Sequence, residues 1–478
     1  MEKKNLKIDK NVRILDFKEE IVLVHLKNSS FIKLKKEGWN FIEDFLSGGD
    51  KLNILEVQEK EKFYALLEYL KNKKYLIAEY FDIDSEIKSR SSERLPENAY
   101  YEVTKYCNLK CKFCYANPRF SLQRVKGDIN LSTKILTESA KKLNIKNLVL
   151  TGGEPLLRED IFDIIKLSKE KFENVILTTN GILINKDIAK KLKNSEIDII
   201  SISLESPEKK IHDRLRGKGT FDKCLEAIKN LKDVGFSKES INICATINRT
   251  NLWTLERFRK FANNLEVTMS FSLFQPAGRG AIHPSFKLSG SEFSNFLFIL
   301  WEDLRSETFQ VDSSTGLNIF HDKLSKKMVP IIKNRCGMVE KVIGIKENGD
   351  VVPCHLFFSV DDKTLIIGNI LEESILNKMK IFLRNLPSVE EKDNCKECNV
   401  RYFCGGGCYA SSYFKYGSFY KPHPNCEEFE KYYSCVIKCL GEKDEVQCFY
   451  EALFNSFNME SSSCVSRKSK MDQNSENT

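Results

Sequence analysis

The chain has no long apolar run and no charge of one dominant sign. It opens Met-Glu-Lys-Lys-Asn-Leu-Lys, without the apolar stretch of a secretory signal. Its longest apolar run, near Phe296–Trp301, is far too short to cross a bilayer. Lys+Arg 75 against Asp+Glu 67 leaves +8 over 478 residues. The basic residues are interspersed with acidic ones, so nucleic-acid binding is not indicated. No internal repeat is visible. At 41% hydrophobic and 30% charged residues, the composition excludes a membrane-embedded, collagen-like or fully disordered chain. The length suggests about three domains.

What is plentiful is cysteine, 16 in all. With no secretory signal the expected location is the cytoplasm. In that reducing compartment dense thiols read as metal ligands rather than disulfides. Their spacing agrees. Cys107, Cys111 and Cys114 share one short loop, and Cys395, Cys398, Cys404 and Cys408 share another. Thiolates this close suit a soft metal.

Residues 1–90 read as a small separate module. Ile21–Leu26 and Phe31–Leu34 predict two strands joined at Lys27-Asn28-Ser29-Ser30. Trp39, Ile42, Phe45 and Leu46 then share one helical face, as do Phe63, Leu66, Leu67 and Leu70. This is a winged-helix-like α+β pattern. Asp84 to Glu97 is polar and makes a linker.

Within 95–310 apolar strands alternate with amphipathic helices. The expected strands are Tyr100–Thr104, Leu148–Thr151, Val175–Thr178, Ile199–Ser203, Ile241–Ile247 and Met269–Phe274. Phe221, Cys224, Leu225, Ile228 and Leu231 mark a helix with Thr220 as its expected N-cap. Six βα repeats predict an α/β fold with a parallel sheet, most simply an incomplete (β/α)6 TIM-like barrel. Chemistry then belongs at the C-terminal ends of the strands. Residues 281–335 read as mostly helical, with Ser289 and Glu292 as a capping box. Residues 325–432 form a Cys-rich domain in which Asn348-Gly349 predicts a type I′ hairpin. Residues 433–478 read as a helical segment and a disordered tail, Ser/Lys/Asn-rich from 458.

The loop Cys107-Asn-Leu-Lys-Cys111-Lys-Phe113-Cys114 follows the first barrel strand. Three thiolates on a four-iron cubane leave one iron open to a ligand, much as catalytic zinc keeps an open position. Three thiolates also suit a zinc site with a distant fourth ligand. The next strand ends in Gly152-Gly153-Glu154-Pro155. Its glycines let backbone approach a ligand, and Glu154 could accept from an ammonium group. By itself that motif is also an ordinary strand-to-helix turn.

Together these residues resemble the radical S-adenosylmethionine (SAM) superfamily, with its Cys-x3-Cys-x2-Cys loop after strand one and Gly-Gly-Glu-Pro after strand two. The resemblance implies a [4Fe-4S] cluster on Cys107, Cys111 and Cys114 whose open iron chelates the amino and carboxylate groups of SAM. It implies reductive cleavage to a 5′-deoxyadenosyl radical that abstracts hydrogen. It also places Phe113 near the adenine and Gly152, Gly153 and Glu154 at the methionine amine. Ser203 and Arg216 are expected contacts to the ribose or carboxylate. Asn180 and Arg279 fit the family's appearance without a stated role. The family usually has Asp-Gly where this chain has Glu205-Ser206.

The pattern Cys336-x12-Gly349-x4-Cys354, then Cys395-x2-Cys398-x5-Cys404-x3-Cys408 and x17-Cys426, resembles the SPASM extension of these enzymes. Alone, its Cys-x2-Cys pair would also fit a zinc ribbon. The resemblance implies two auxiliary clusters, hence three iron–sulfur clusters in all. Cys395, Cys398, Cys404 and Cys426 would hold the outer one; Cys336, Cys354 and Cys408 would hold the inner one. No cysteine lies between 336 and 354, where many relatives have one, so the inner cluster keeps an open iron or takes a ligand from elsewhere. Cys224 and Cys244 are expected in the core, and Cys435, Cys439, Cys448 and Cys464 are expected to be buried or idle thiols.

Residues 1–90 resemble a RiPP recognition element. The implied role is capture of a precursor's leader peptide as an added strand on a sheet edge. The expected activity is therefore maturation of a ribosomally made peptide, forming thioether crosslinks from cysteine sulfur to carbon, with electrons from a flavodoxin- or ferredoxin-type donor. The alternatives are an anaerobic sulfatase maturase, a carbon–carbon crosslinking maturase and, outside enzymes, a zinc-binding DNA-associated regulator.

Overall fold

The computed structural model describes residues 6–78, 95–304, 319–322, 327–330, 332–360 and 362–440, together with 442, 444, 445, 448, 451, 452 and 456. Most of the linker expected at 84–97, the tail from 458 and Cys464 lie outside the described residues. Among the described residues no helix is long and apolar enough to cross a membrane.

The barrel strands are β6 (Asn98–Thr104), β9 (Asn147–Gly152), β10 (Asn174–Thr179), β11 (Ile199–Ser203), β12 (Ile241–Ile247) and β13 (Thr268–Leu273), following β1–β5 of the N-terminal unit and the short pair β7 (Tyr106–Cys107) and β8 (Arg119–Phe120). All six expected strands are present to within two residues at either end. They lie side by side in parallel, in chain order from β6 to β13. One face of each strand is apolar. Val175 and Leu177, Ile200 and Ile202, and Ile243, Ala245 and Ile247 pack under the crossover helices in one core. Helix stripes such as Ile161, Ile164 and Ile165 in α4 (Ile161–Lys169, after α1–α3) cover that face.

The opposite face of the later strands is polar. Along β12 the pattern alternates, with Asn242, Cys244 and Thr246 half-buried between fully buried neighbours. Asn242 Nδ2 donates to Ser201 Oγ and to Ser270 Oγ, each at 2.9 Å. A polar, incompletely covered inner face is what a strand layer shows when it lines a space for a ligand. Cys224 is fully buried as expected, but Cys244 is on this inner face rather than in the core. The period-2 alternation of β12 puts it there.

The sheet does not end with the barrel. The hairpin of β16 (Val342–Ile345) and β17 (Asp350–Val352) joins it, β16 pairing in parallel with β6 from Val342↔Asn98 to Ile345↔Tyr101. Adding β18 (Gly368–Asn369) makes nine strands. The hairpin turn differs from the type I′ expectation. Gly349 N bonds Lys346 O at 2.8 Å, Lys346 N bonds Asp350 O at 2.8 Å, and of the loop residues only Gly349 has positive φ, +89°. That is a three-residue loop with glycine at a bulge, because Asn348 keeps an ordinary negative φ.

One other expectation is corrected. Thr220 is the first residue of α7 (Thr220–Asp233), not its cap. Gly219 holds the cap position at φ +82°, and Asp213 from α6 (Lys209–Arg216) accepts from Gly219 N at 2.8 Å and Phe221 N at 3.0 Å. A neighbouring helix thus supplies the oxygen that Thr220 was expected to give. Among the described residues of 281–335, the expected helix is followed by a strand pair. The capping box at Ser289 and Glu292 does open α9 (Gly290–Leu304), with Ser289 N to Glu292 Oε2 at 2.7 Å. Beyond it β14 (Ile319–Asp322) and β15 (Lys327–Pro330) form an antiparallel pair.

The N-terminal unit has its own core of Trp39, Ile42, Phe45, Phe63, Leu67, Leu70 and neighbours. It holds a three-stranded sheet, β2 (Val12–Asp16), β3 (Glu20–His25) and β4 (Ser30–Lys35), with α1 (Lys36–Leu46), α2 (Val57–Asn72) and the pair β1 (Leu6–Ile8) and β5 (Leu76–Ala78). Central β3 is buried on both faces. Ile21 and Leu23 belong to the local core, and Val22 and Val24 to the main one. The unit therefore docks on the C-terminal domain, where Arg13 Nε meets Glu390 at 2.6 Å and Phe31 meets Phe403 edge-to-face. Replacing Leu70, which is fully buried in the local core alone, by alanine should cost roughly 2–5 kcal/mol. A separate low-temperature unfolding transition with unchanged iron content is the expected result by calorimetry and iron assay.

Candidate active site and thiol clusters

Cys107 ends β7, and the loop that follows carries Cys111, Phe113 and Cys114 beneath the C-terminal ends of the barrel strands. Cys107, Cys111 and Phe113 are buried and Cys114 is half-buried. Burial pushes the Cys107 thiol up to about 12 and the Cys111 thiol to about 11. Charge on any one of the three would oppose charge on the others. Arg216 opposes that trend at Cys111, with Nη1 3.9 Å from the sulfur. Its guanidinium also lies 5.3 Å from the centroid of the Phe113 ring.

Arg216 is held by Glu205, Nε to Oε1 at 2.7 Å, and the Glu205 side chain has no exposed surface. Glu205 Oε2 also accepts from Thr246 N at 2.7 Å. Burial works against the Arg216 charge, but the Glu205 carboxylate and the Cys111 sulfur more than offset it and raise its pKa. Glu205 is the functional residue that the sequence reading passed over. Its signal was the departure from Asp-Gly at 205–206.

Three further residues clamp the loop. Arg279 donates to Cys111 O at 3.1 Å and to Pro118 O at 3.2 Å. Gly278 has φ +53°, and a Cβ there would stand 2.2 Å from the Tyr115 carbonyl oxygen. Asn180 Nδ2 donates to Asn108 Oδ1 at 2.7 Å and points at Cys107 Sγ from 4.0 Å. Asn180 and Arg279, left without roles by sequence, both support the thiol loop.

Gly152 and Gly153 meet backbone at once. A Cβ on Gly152, at φ +136°, would lie 2.3 Å from Thr104 O, and one on Gly153 would lie 2.1 Å from Tyr106 O. The Glu154 side chain is fully buried and already accepts from Thr179 Oγ1 (2.7 Å), Asn180 N (2.8 Å) and Leu156 N (3.1 Å). A carboxylate offers about four acceptor sites, so Glu154 chiefly braces this turn and has little capacity left for a ligand ammonium. Burial raises its pKa against those three donors. Ser203 sits half-buried at the end of β11, its carbonyl 3.7 Å from Cys224 Sγ.

In the C-terminal domain Cys395, Cys398, Cys404 and Cys426 line one cavity with Val400, Arg401, Gly406, His423 and Glu430. Cys336, Cys354 and Cys408 form a second group, in which each thiol would oppose charge on its neighbours. His355, next to Cys354, stacks on Tyr100 at 4.1 Å and meets Tyr115, next to Cys114, at 5.6 Å. Among the described residues no three His, Cys, Asp or Glu converge closely enough to hold a single ion. A cubane takes one thiolate at each corner, and the four thiols that line one cavity are a donor set that fits it.

Among the described residues the late cysteines join neither group. Cys435 Sγ faces Ser456 Oγ at 3.2 Å. Cys439 and Cys448, expected as idle thiols, are disulfide-bonded with Cα atoms 5.5 Å apart. The turn after α13 (Cys426–Cys439, following α10–α12) folds the chain back, which the cytosolic argument did not foresee.

Residues 101–262 match the model of the Radical SAM superfamily, and residues 336–399 match that of SPASM, an iron–sulfur cluster-binding domain. The chain thus combines a radical SAM TIM-like α/β fold with a C-terminal SPASM domain. It is an enzyme of the radical SAM type, and its cofactors are SAM and iron–sulfur clusters. This sets aside the zinc-binding regulator. The mycofactocin maturase MftC of Mycolicibacterium smegmatis is 28% identical over 339 residues, 69% of this chain and 82% of that protein. The AdoMet-dependent heme synthase of Nitratidesulfovibrio vulgaris is 25% identical over 68% of this chain and 90% of its own. Among solved structures, Streptococcus suis SuiB bound to precursor peptide SuiA superposes with TM-score 0.55 at 17% identity, covering 88% of this chain and all of SuiB. AdoMet-bound anSMEcpe gives 0.54 at 20%, covering 76% and 99%.

Two outcomes are expected here. Arg216→Met should cost about 3–5 kcal/mol, because it strands a buried carboxylate, and adding Glu205→Gln should recover most of the lost thermal midpoint. Gly278→Ala should displace the 107–115 loop, so that iron assay shows loss of the share bound there while the share held by the C-terminal domain stays.

Proposed function

We propose that this enzyme modifies a ribosomally made precursor peptide, forming a thioether from a cysteine sulfur to a carbon of an acceptor residue. Cys107, Cys111 and Cys114 hold the [4Fe-4S] cluster that binds SAM. The outer auxiliary cluster sits on Cys395, Cys398, Cys404 and Cys426, and the inner on Cys336, Cys354 and Cys408. Together the first cluster and SAM supply reductive cleavage to a 5′-deoxyadenosyl radical. Phe113 packs at the adenine. The backbone of Gly152 and Gly153, braced by Glu154, receives the methionine amine, and Ser203 and Arg216 meet the ribose or carboxylate. Arg216 is fixed for this by Glu205. Residues 1–90 act as the recognition element, taking the leader peptide as an added strand; β4, an edge strand of the three-stranded sheet, offers the place. A flavodoxin- or ferredoxin-type protein supplies the electron, and the setting is the cytoplasm.

The single observation that carries this reading is a loop of three thiols, and no fourth, at the C-terminal ends of the barrel strands. Three donors leave one corner of a cubane for SAM. The peptide substrate is supported by SuiB, described with its precursor peptide, and by anSMEcpe, described with the Cp18Cys peptide.

Coexpression with a short Cys-containing peptide encoded beside the gene tests the reaction. The expected product is lighter by the two hydrogens lost per crosslink, one from carbon and one from sulfur. An unchanged mass with inverted chirality would identify an epimerase. A neighbouring sulfatase converted to its formylglycine form would make the enzyme a sulfatase maturase. SAM cleavage undiminished by alanine at Cys107, Cys111 or Cys114 would overturn the site itself.

A further inference from the structure

Cys404 of the outer thiol group and Cys408 of the inner one are separated only by Gly405, Gly406 and Gly407. All three glycines adopt left-handed backbone, with φ +63°, +76° and +68°. Each leaves room for a side chain from elsewhere. A Cβ on Gly405 would lie 2.3 Å from Cε of Lys333. On Gly406 it would lie 3.1 Å from Cδ of Lys392, and on Gly407 2.8 Å from Cβ of His423. The loop between the two groups is therefore built around two lysine stems and a histidine.

Lys392 has no exposed surface. Its Nζ donates to Phe419 O at 2.8 Å and stands 3.8 Å from the centroid of the Tyr409 ring, the residue after Cys408. Burial lowers its pKa, and charge on Cys395 and Cys404 from one thiol group and on Cys336 and Cys408 from the other opposes that. Lys333 is half-buried; burial, with Lys341, lowers its pKa too, and charge on Cys404, Cys336 and Cys408 opposes that. Among the described residues neither forms an ion pair with a carboxylate. Burying an ammonium without a counter-charge costs several kcal/mol. The counter-charge available here is thiolate, and thiolate is the form a cysteine takes when it ligates metal.

We infer that Lys333 and Lys392 form a fixed cationic brace between the two auxiliary clusters and raise the reduction potentials of both. This rests on the proposed assignment of these seven cysteines to two clusters. A cluster gains one negative charge on reduction, and a nearby buried cation favours that form. His423 adds no charge, since burial, then Lys392, holds its pKa down to about 3.

The test uses the full chain, reconstituted anaerobically, with iron and sulfide counted before an EPR-monitored redox titration without SAM or peptide. Lys392→Met keeps the stem and removes the charge. The expected result is full iron, an unmoved signal from the cluster on Cys107, Cys111 and Cys114, and a roughly tenfold lower reduced fraction of the auxiliary signals at fixed potential, which for a one-electron couple is about 59 mV. Should Lys392→Met load less iron, Lys333→Met at the half-buried site supplies the same measurement with the same expected shift. Full loading with unmoved auxiliary signals overturns the brace alone. Wild-type iron too low for two auxiliary clusters overturns the assignment beneath it as well.

Discussion

Burial makes most of the gathered thiols of this protein poor acids, and much of the architecture answers that constraint. Cys107, Cys404 and Cys426 are pushed up to about 12, and Cys111 and Cys398 to about 11, first by loss of water and then by the groups around them. Without metal such sulfurs stay protonated and bind one another only weakly. The thiol loops therefore cannot hold themselves in shape, and other residues do it for them. Arg279 and Gly278 fix the first loop through its backbone, leaving the sulfurs uninvolved. In the second, three left-handed glycines let lysine and histidine side chains fill the turn. Arg216 stands beside Cys111, and the Lys392 stem lies against Gly406 in the turn from Cys404 to Cys408.

The pair Glu205–Arg216 shows how the barrel carries this requirement into its own frame. Arg216 ends α6 and His212 lies one turn earlier on the same helix. His212 Nδ1 accepts from Glu205 N at 3.1 Å, and the Glu205 carboxylate returns to Arg216 and to Thr246 N on β12. One helix, one strand end and one loop are tied through a single carboxylate, so the cation beside Cys111 does not depend on a flexible side chain finding its place. A buried pair of this kind adds little net stability by itself; what it secures is position.

The legible parts of the sequence were those governed by local pattern. Each barrel strand keeps one apolar face under the helices, and all six stood out by that short-range pattern. The runs Cys107–Cys114 and Cys395–Cys408 were legible because their members lie close in sequence, whereas Cys336, Cys354 and Cys426 entered only through the family resemblance; Cys426 lines one cavity with Cys395, Cys398 and Cys404. What escaped depends on partners far along the chain. Gly219 took the cap position because Asp213 reached it from another helix. Cys244 was placed in the core until the strand's alternation turned it inward. The Cys439–Cys448 disulfide depended on a chain reversal that no spacing rule marks. Glu205 was visible only as a departure from a family habit, and its meaning came from the arginine it faces.

The barrel and the C-terminal domain differ in sequence character, yet one sheet runs through both. Because β16 hydrogen-bonds to β6 over four residues, the loop after β6 that bears Cys107 and the hairpin that leads to Cys354 are neighbours in one layer. Tyr115 and His355, each next to one of the cysteines, meet across that layer. A sheet ladder moves as a unit, whereas linked domains rotate against each other. The separation between the first thiol loop and the inner thiol group is therefore set by strand spacing and a pair of rings, and motion that admits or releases a substrate must come from elements outside this ladder.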